Sequence, residues 1–157
     1  MAKIRRFEDL IGWQKARVLA NTIHDLTLRP NFSKDFKLRD QILDASGSVM
    51  HNIAEGSDAG TDPEFIRFLK MARRSASEVQ SELYLALDRK YITEAERRQA
   101  QDQADEAKRL INGLIAYLRQ SGPKSENKIS EDPNDYTIDP PADLSDFIEP
   151  QDDGSSP

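Results

Sequence analysis

The amino-acid sequence predicts an all-α protein: an antiparallel up-down four-helix bundle over residues 1–122, followed by a disordered acidic tail over 123–157. Three observations carry this reading. Apolar residues recur at steps of three and four along four separate stretches, the spacing that lines one face of a helix. No stretch alternates apolar and polar residues as a half-buried strand would. At Ser121-Gly122-Pro123 the periodicity stops, on a glycine followed by a residue that cannot continue a helix.

The first helix is expected over about 7–28, ending before Arg29-Pro30. Its apolar positions Phe7, Leu10, Ile11, Trp13, Leu19, Ile23 and Leu26 cover more than one bundle seam can bury. Phe7, Leu10 and Trp13 are therefore the candidate oligomer interface. The second helix starts between 33 and 40 and presents Leu38, Ile42, Ala45, Val49 and Ile53 inward. Gly56, which lacks a Cβ, is expected as its left-handed C-cap.

The third helix has Thr61 or Asp62 as cap, Pro63 in the first turn where no N–H is needed, and Glu64 at the positive end of the dipole. Ala72, Ala76, Val79, Leu83 and Ala86 then form a heptad seam that carries it to about Lys90. Thr93 opens the fourth helix, with Glu96 three residues on completing a capping box. Its seam is Ala100, Ala104, Ala107, Ile111, Leu114 and Leu118. Short loops and matching seams argue for an antiparallel bundle.

Composition narrows the function classes. There is no cysteine, which excludes disulfides and thiolate metal sites. No apolar run approaches the roughly 20 residues that span a bilayer. The basic first six residues lead into Phe7-Glu8-Asp9 rather than an apolar signal core, so a cytoplasmic protein with no membrane partner is expected. The net charge of −6 conceals a division. Residues 123–157 hold two lysines against ten acidic residues, a net of −8, and six of the eight prolines, so they cannot offset their ordering entropy by burial. Residues 1–122 are mildly basic, at +2. Within the tail, Tyr136, Ile138, Leu144, Phe147 and Ile148 lie among aspartates. Such alternation suits either a solubilising linker or a segment that folds onto a basic partner, the body's own surface included.

Several motifs resemble a known family. Phe7-Glu8-Asp9-Leu10 with Trp13-Gln14-Lys15-Ala16, then Asp40-Gln41-Ile42, Asn52-Ile53-Ala54-Glu55-Gly56, Glu64-Phe65-Ile66-Arg67-Phe68-Leu69, Ala72, Ser75 and Glu78 occur in order. Together they resemble the bacterial four-helix bundle proteins, which include proteins encoded in intervening sequences of 23S ribosomal RNA genes. They are also similar to the accessory variability determinant of diversity-generating retroelements. The resemblance covers residues 4–120. It implies a homopentameric barrel and no known catalysis. The retroelement members are basic adaptors for nucleic acid and a reverse transcriptase, so the resemblance implies RNA, DNA or a reverse-transcriptase-like protein as partner classes. This chain departs from them in having Leu43-Asp44 where members often carry paired arginines.

No catalytic residue, cofactor, metal site or small-molecule substrate is expected. Asn52 and Glu55 share a helical face without a partner acid, base or metal, and with Gly56, Ser75 and Glu78 they read as a polar lock between helices. His24 and His51 lack the Glu three residues earlier that a di-iron bundle needs, since residue 21 is Asn and residue 48 is Ser. Arg73, Arg74, Arg97, Arg98, Lys108 and Arg109 are candidate nucleic-acid contacts. The ordinary explanation of such clusters is solvated faces paired with acids such as Glu94 and Glu96. Repetition around a ring would make even a weak patch multivalent. Two functions follow: a self-assembling scaffold or adaptor, or a protein-interaction module that recruits its partner through the acidic tail without touching nucleic acid.

Overall fold

The computed structural model describes residues 4–121 and 143–150. Its helices are α1 (Ile11–Thr27), a short α2 (Pro30–Lys34), α3 (Phe36–Ser57), α4 (Asp62–Asp88) and α5 (Glu94–Ser121). The four long helices form the expected all-α bundle, with α1 and α4 each packed between α3 and α5. No strand occurs among the described residues; the one β-type pairing is an isolated bridge.

The core shows that neighbouring helices run antiparallel. One apolar cluster joins Ala16 of α1, Val49 and Ile53 of α3, Phe65 and Leu69 of α4, and Ile111, Leu114 and Leu118 of α5. A second joins Leu19, Ile23 and Leu26 of α1, Leu38 and Ile42 of α3, Val79 and Leu83 of α4, and Ala100 and Ala104 of α5. Each end of the molecule thus takes early residues from one helix and late residues from the next. The heptad seams read from the sequence all lie inside: Ala72, Ala76, Val79, Leu83 and Ala86 are fully buried, as are Ala100, Ala104 and Ala107.

Local chemistry sets the boundaries. The Thr61 side chain accepts from the Glu64 N–H at 3.4 Å and opens α4. At α5 the Thr93 hydroxyl accepts from the Glu96 N–H at 3.2 Å while the Glu96 carboxylate accepts from the Thr93 N–H at 3.0 Å, a closed capping box. Asp35 caps α3 by accepting from the Leu38 N–H at 3.2 Å.

Three expectations change. Residues 7–9 form a 3-10 turn and Leu10 is extended, so α1 begins only at Ile11. Gly56 is not a left-handed cap: α3 continues through it to Ser57, and Gly60 (φ 85°) makes the left-handed turn. Glycine is required at 56 for another reason, because a Cβ there would lie 2.7 Å from the Phe68 Cβ and 2.8 Å from the Phe65 ring. Finally, α4 ends at Asp88, and Lys90 adopts φ 60° just beyond it. The Tyr91 N–H donates to the Ala86 carbonyl and the Lys90 N–H to the Leu87 carbonyl, both at 2.9 Å, which closes the helix as a Schellman motif.

Of the tail expected to be disordered, 122–142 and 151–157 lie outside the described residues. The remaining stretch, 143–150, departs from that expectation: it docks on the bundle and buries Leu144, Phe147 and Ile148.

Candidate functional site

The apolar edge at the start of the chain divides into a covered and an uncovered part. The Phe7 and Trp13 rings meet edge to face at 5.0 Å, and both are half-buried. The Arg17 guanidinium lies over the Trp13 ring, 5.8 Å from its centre. Leu10, by contrast, is 1% exposed and closed off within the chain itself. Of the three candidate interface residues, only Phe7 and Trp13 keep accessible surface.

The 143–150 segment covers Leu10. Ile148 bridges Leu10 in antiparallel fashion. On either side, the Ile11 N–H donates to the Phe147 carbonyl at 2.9 Å and the Glu149 N–H donates to the Asp9 carbonyl at 3.0 Å. The Gln14 amide donates to the Glu149 carboxylate at 2.9 Å. On α5, Gly113 forms the floor: a Cβ at that position would stand 2.7 Å from Phe147 Cε1, so the ring reaches the helix backbone only because the residue is glycine. Leu144, Phe147 and Ile148 join the same apolar cluster as Ile111, Leu114 and Leu118.

The polar lock is narrower than expected and centred elsewhere. The Asn52 amide donates to the Ser48 carbonyl at 2.8 Å and to its hydroxyl at 2.9 Å, and the Ser75 hydroxyl donates to Ser48 at 3.0 Å, tying α3 to α4. Ser48, unremarked in the sequence, is the hub. Glu55 is exposed, and Gly56 contributes packing rather than polarity. Glu78 is exposed as well, but it abuts Glu82 one turn further along α4. Glu82 is only 6% exposed, and its Oε2 has no hydrogen-bond partner among the described residues. Burial pushes its carboxyl up to about 7, and the neighbouring Glu78 adds to the shift by charge and by a hydrogen bond. No periodicity signal distinguishes Glu82 from a solvated glutamate, because its burial depends on how α4 is rotated in the bundle.

The six candidate nucleic-acid contacts separate into two groups. Arg73 donates to the Asn112 side chain at 2.8 Å, Lys108 donates to Gln80 at 3.2 Å, and Arg97 lies over the Tyr84 ring at 4.8 Å while pairing with Glu94 at 2.7 Å. Gln80 also donates to Asp105 at 2.6 Å. These contacts form a polar ladder between α4 and α5, so three of the six cations hold the bundle together. Arg74, Arg98 and Arg109 are exposed, Arg98 lying 3.5 Å from Glu94. His24 and His51 are both exposed, and no group of three or more metal-ligating side chains gathers among the described residues. Among those residues, no helix is long and apolar enough to cross a membrane.

Residues 8–113 match the family described as 23S rRNA-intervening sequence protein. The chain belongs to that family. Among solved structures, the intervening-sequence chain is similar to a protein of unknown function from the S23 ribosomal protein family of Bacteroides thetaiotaomicron. The TM-score is 0.63 at 26% identity, and the match covers 67% of this chain and 98% of that one. No curated protein matches the chain. The family match stops at Gly113, so the docked 143–150 segment lies beyond it.

Proposed function

We propose that this intervening-sequence family member is a non-enzymatic cytoplasmic scaffold or adaptor that works as a homo-oligomer, a pentamer in keeping with the family resemblance. The observation that carries the reading is the unpartnered face of α1. Phe7, in the 3-10 turn before α1, and Trp13 in its first turn are half-buried, and Val18 is 49% exposed on an adjoining side of the helix beside Gln14, Asn21, Thr22 and Asp25. A contiguous apolar pair left at the surface, such as Phe7 against Trp13, is the kind of patch that marks an interface. The partner class is nucleic acid or an enzyme that acts on it. Arg74, Arg98 and Arg109 supply the phosphate contacts, and repetition around the ring makes up for their small number.

A second reading has its own observation: the acidic tail contains a segment that does dock, through Leu144, Phe147 and Ile148. On that reading the protein is an interaction module that recruits a protein partner without nucleic acid. Light scattering at micromolar concentration tests the self-assembly on which the first reading rests. A mass well above 17.8 kDa is expected, and a mass at that value rejects self-assembly.

A further inference from the structure

The 143–150 segment engages the bundle as a separate peptide engages a groove. Its backbone pairs with the one extended position between the 3-10 turn and α1, and it places three apolar side chains on the body. One of these, Phe147, sits against a glycine floor. This is strand addition combined with side-chain pockets, the common way a groove reads a short linear segment. The segment also carries three carboxylates and no base, and the body it lands on is net positive.

The chain joining peptide to bundle is far longer than the path it has to close. Ser121 at the end of α5 and Leu144 line the same hollow, together with Ile4, Tyr117 and Leu118. Yet 22 residues, 122–143, separate them in sequence. A return onto the adjacent surface needs about two to five residues. Twenty-three Cα steps reach about 80 Å when extended. That reach is several times the separation of packed helices, which is about 8–10 Å. Trp13, which meets Phe7 edge to face, packs against the same apolar cluster as Leu144, Phe147 and Ile148 and keeps accessible surface.

We propose that the groove between residues 9–11 and the Gly113 face of α5 is a peptide-docking site whose ligand is the 143–150 segment of a second copy of this chain. Neighbouring subunits then exchange their C-terminal segments. The proposal rests on the self-assembly proposed above and supplies a bond for it. Exchange preserves every contact of the docked segment and adds a connection between subunits, the usual economy of swapping an identical element. Around a closed ring each subunit gives one segment and receives one, so no groove is left empty. Once subunits touch at Phe7 and Trp13, the tether holds each segment at high effective concentration near its neighbour's groove.

The absence of cysteine permits a direct test. Gln14 and Glu149 touch at the surface, so a Gln14→Cys/Glu149→Cys chain can be joined by a short bis-maleimide with little disturbance of the fold. Light and heavy-isotope-labelled copies are mixed, unfolded and refolded together, cross-linked and digested. The expected result is peptide pairs in which residues 14 and 149 carry different labels. Pairs carrying only like labels would place the segment on its own chain and overturn the proposal, as would the absence of any 14–149 link. Light scattering of the same sample separates the two ideas. Like-label pairs in a high-mass particle reject exchange and leave self-assembly standing, whereas a mass of 17.8 kDa rejects both. Phe147→Ala in the otherwise native chain is an independent readout. It should lower the particle mass without loss of helix signal, and an unchanged mass counts against exchange.

Discussion

Glu82 shows how one buried carboxyl sets a pH dependence. Its ordinary value is 4.5 and in the fold it stands at about 7, mainly through burial and then through Glu78. Between those two values the folded protein holds a proton that the unfolded chain has released. Its contribution to stability therefore falls as pH rises across that window and is level above it. Glu82→Gln keeps the shape and removes the titration. It is expected to stabilise the protein above about pH 7 by on the order of 1–2 kcal/mol, after allowing for screening on the Glu78 side, and to have little effect near pH 4. Urea unfolding across the pH range checks this, and an effect independent of pH would show that the carboxyl titrates normally. Asp35 is the opposite case. The Leu38 N–H, then the Tyr91 hydroxyl, and then Arg89 hold it below its ordinary value of 3.8, so its contribution is present at neutral pH and lost as pH falls through the lowered value.

At the scale of elements, Asp35 is a junction. It caps α3, accepts from Tyr91 Oη at 2.9 Å and pairs with Arg89 at 2.9 Å, binding the start of α3 to the end of α4 and the turn that follows. Asp35→Ala should cost about 1–2 kcal/mol, the upper range for a lost cap, with Tyr91→Phe costing less. Thermal melts of both variants decide this, and equal small losses would mean the junction adds nothing to the cap. Lys90 offers a gain instead. Left-handed geometry penalises any side chain by about 1–2 kcal/mol, so Lys90→Gly should raise the melting temperature by a few degrees. A lower melting temperature would show that the stem of Lys90 is needed at the turn. Signals carried by near neighbours in sequence are legible: a cap at Thr61 or Asp62, the Thr93–Glu96 box and the three-and-four steps of the alanine seams. The features that escaped are tertiary. α2 exists because Phe32 is fully buried and stacks on Tyr91, 5.3 Å away, and nothing in its own five residues announces that contact. The docking of Phe147 depends on the missing Cβ of Gly113, 34 residues earlier, and the role of Gly56 on Phe65 and Phe68 in the next helix.

For the whole molecule, charge and docking in the tail are separable. Neutralising Glu126, Glu131, Asp132, Asp135 and Asp139 to their amides leaves 143–150 intact and removes five negative charges from each chain. If the protein is an RNA or DNA adaptor, this variant should bind labelled nucleic acid more tightly, with the gain shrinking as salt rises. Arg74→Ala with Arg98→Ala and Arg109→Ala should reverse the gain. No binding by the neutralised chain at about 50 mM salt would leave the protein-interaction reading in its place. The two ends of the core differ in how far along the chain their contacts reach. The end built around Leu19, Ile42, Leu83 and Ala104 closes two of the three turns between the long helices, and these join segments adjacent in sequence. The other end is complete only when Ile148 reaches Leu10, a contact between opposite ends of the sequence whether it is made within a copy or between two. Since short loops lose less entropy than long ones, the first end is the natural nucleus and the second the last to consolidate. Trimming Ile42 should therefore slow folding, while trimming Ile148 should chiefly hasten unfolding, so that how long a copy keeps its shape is set at its terminal segment.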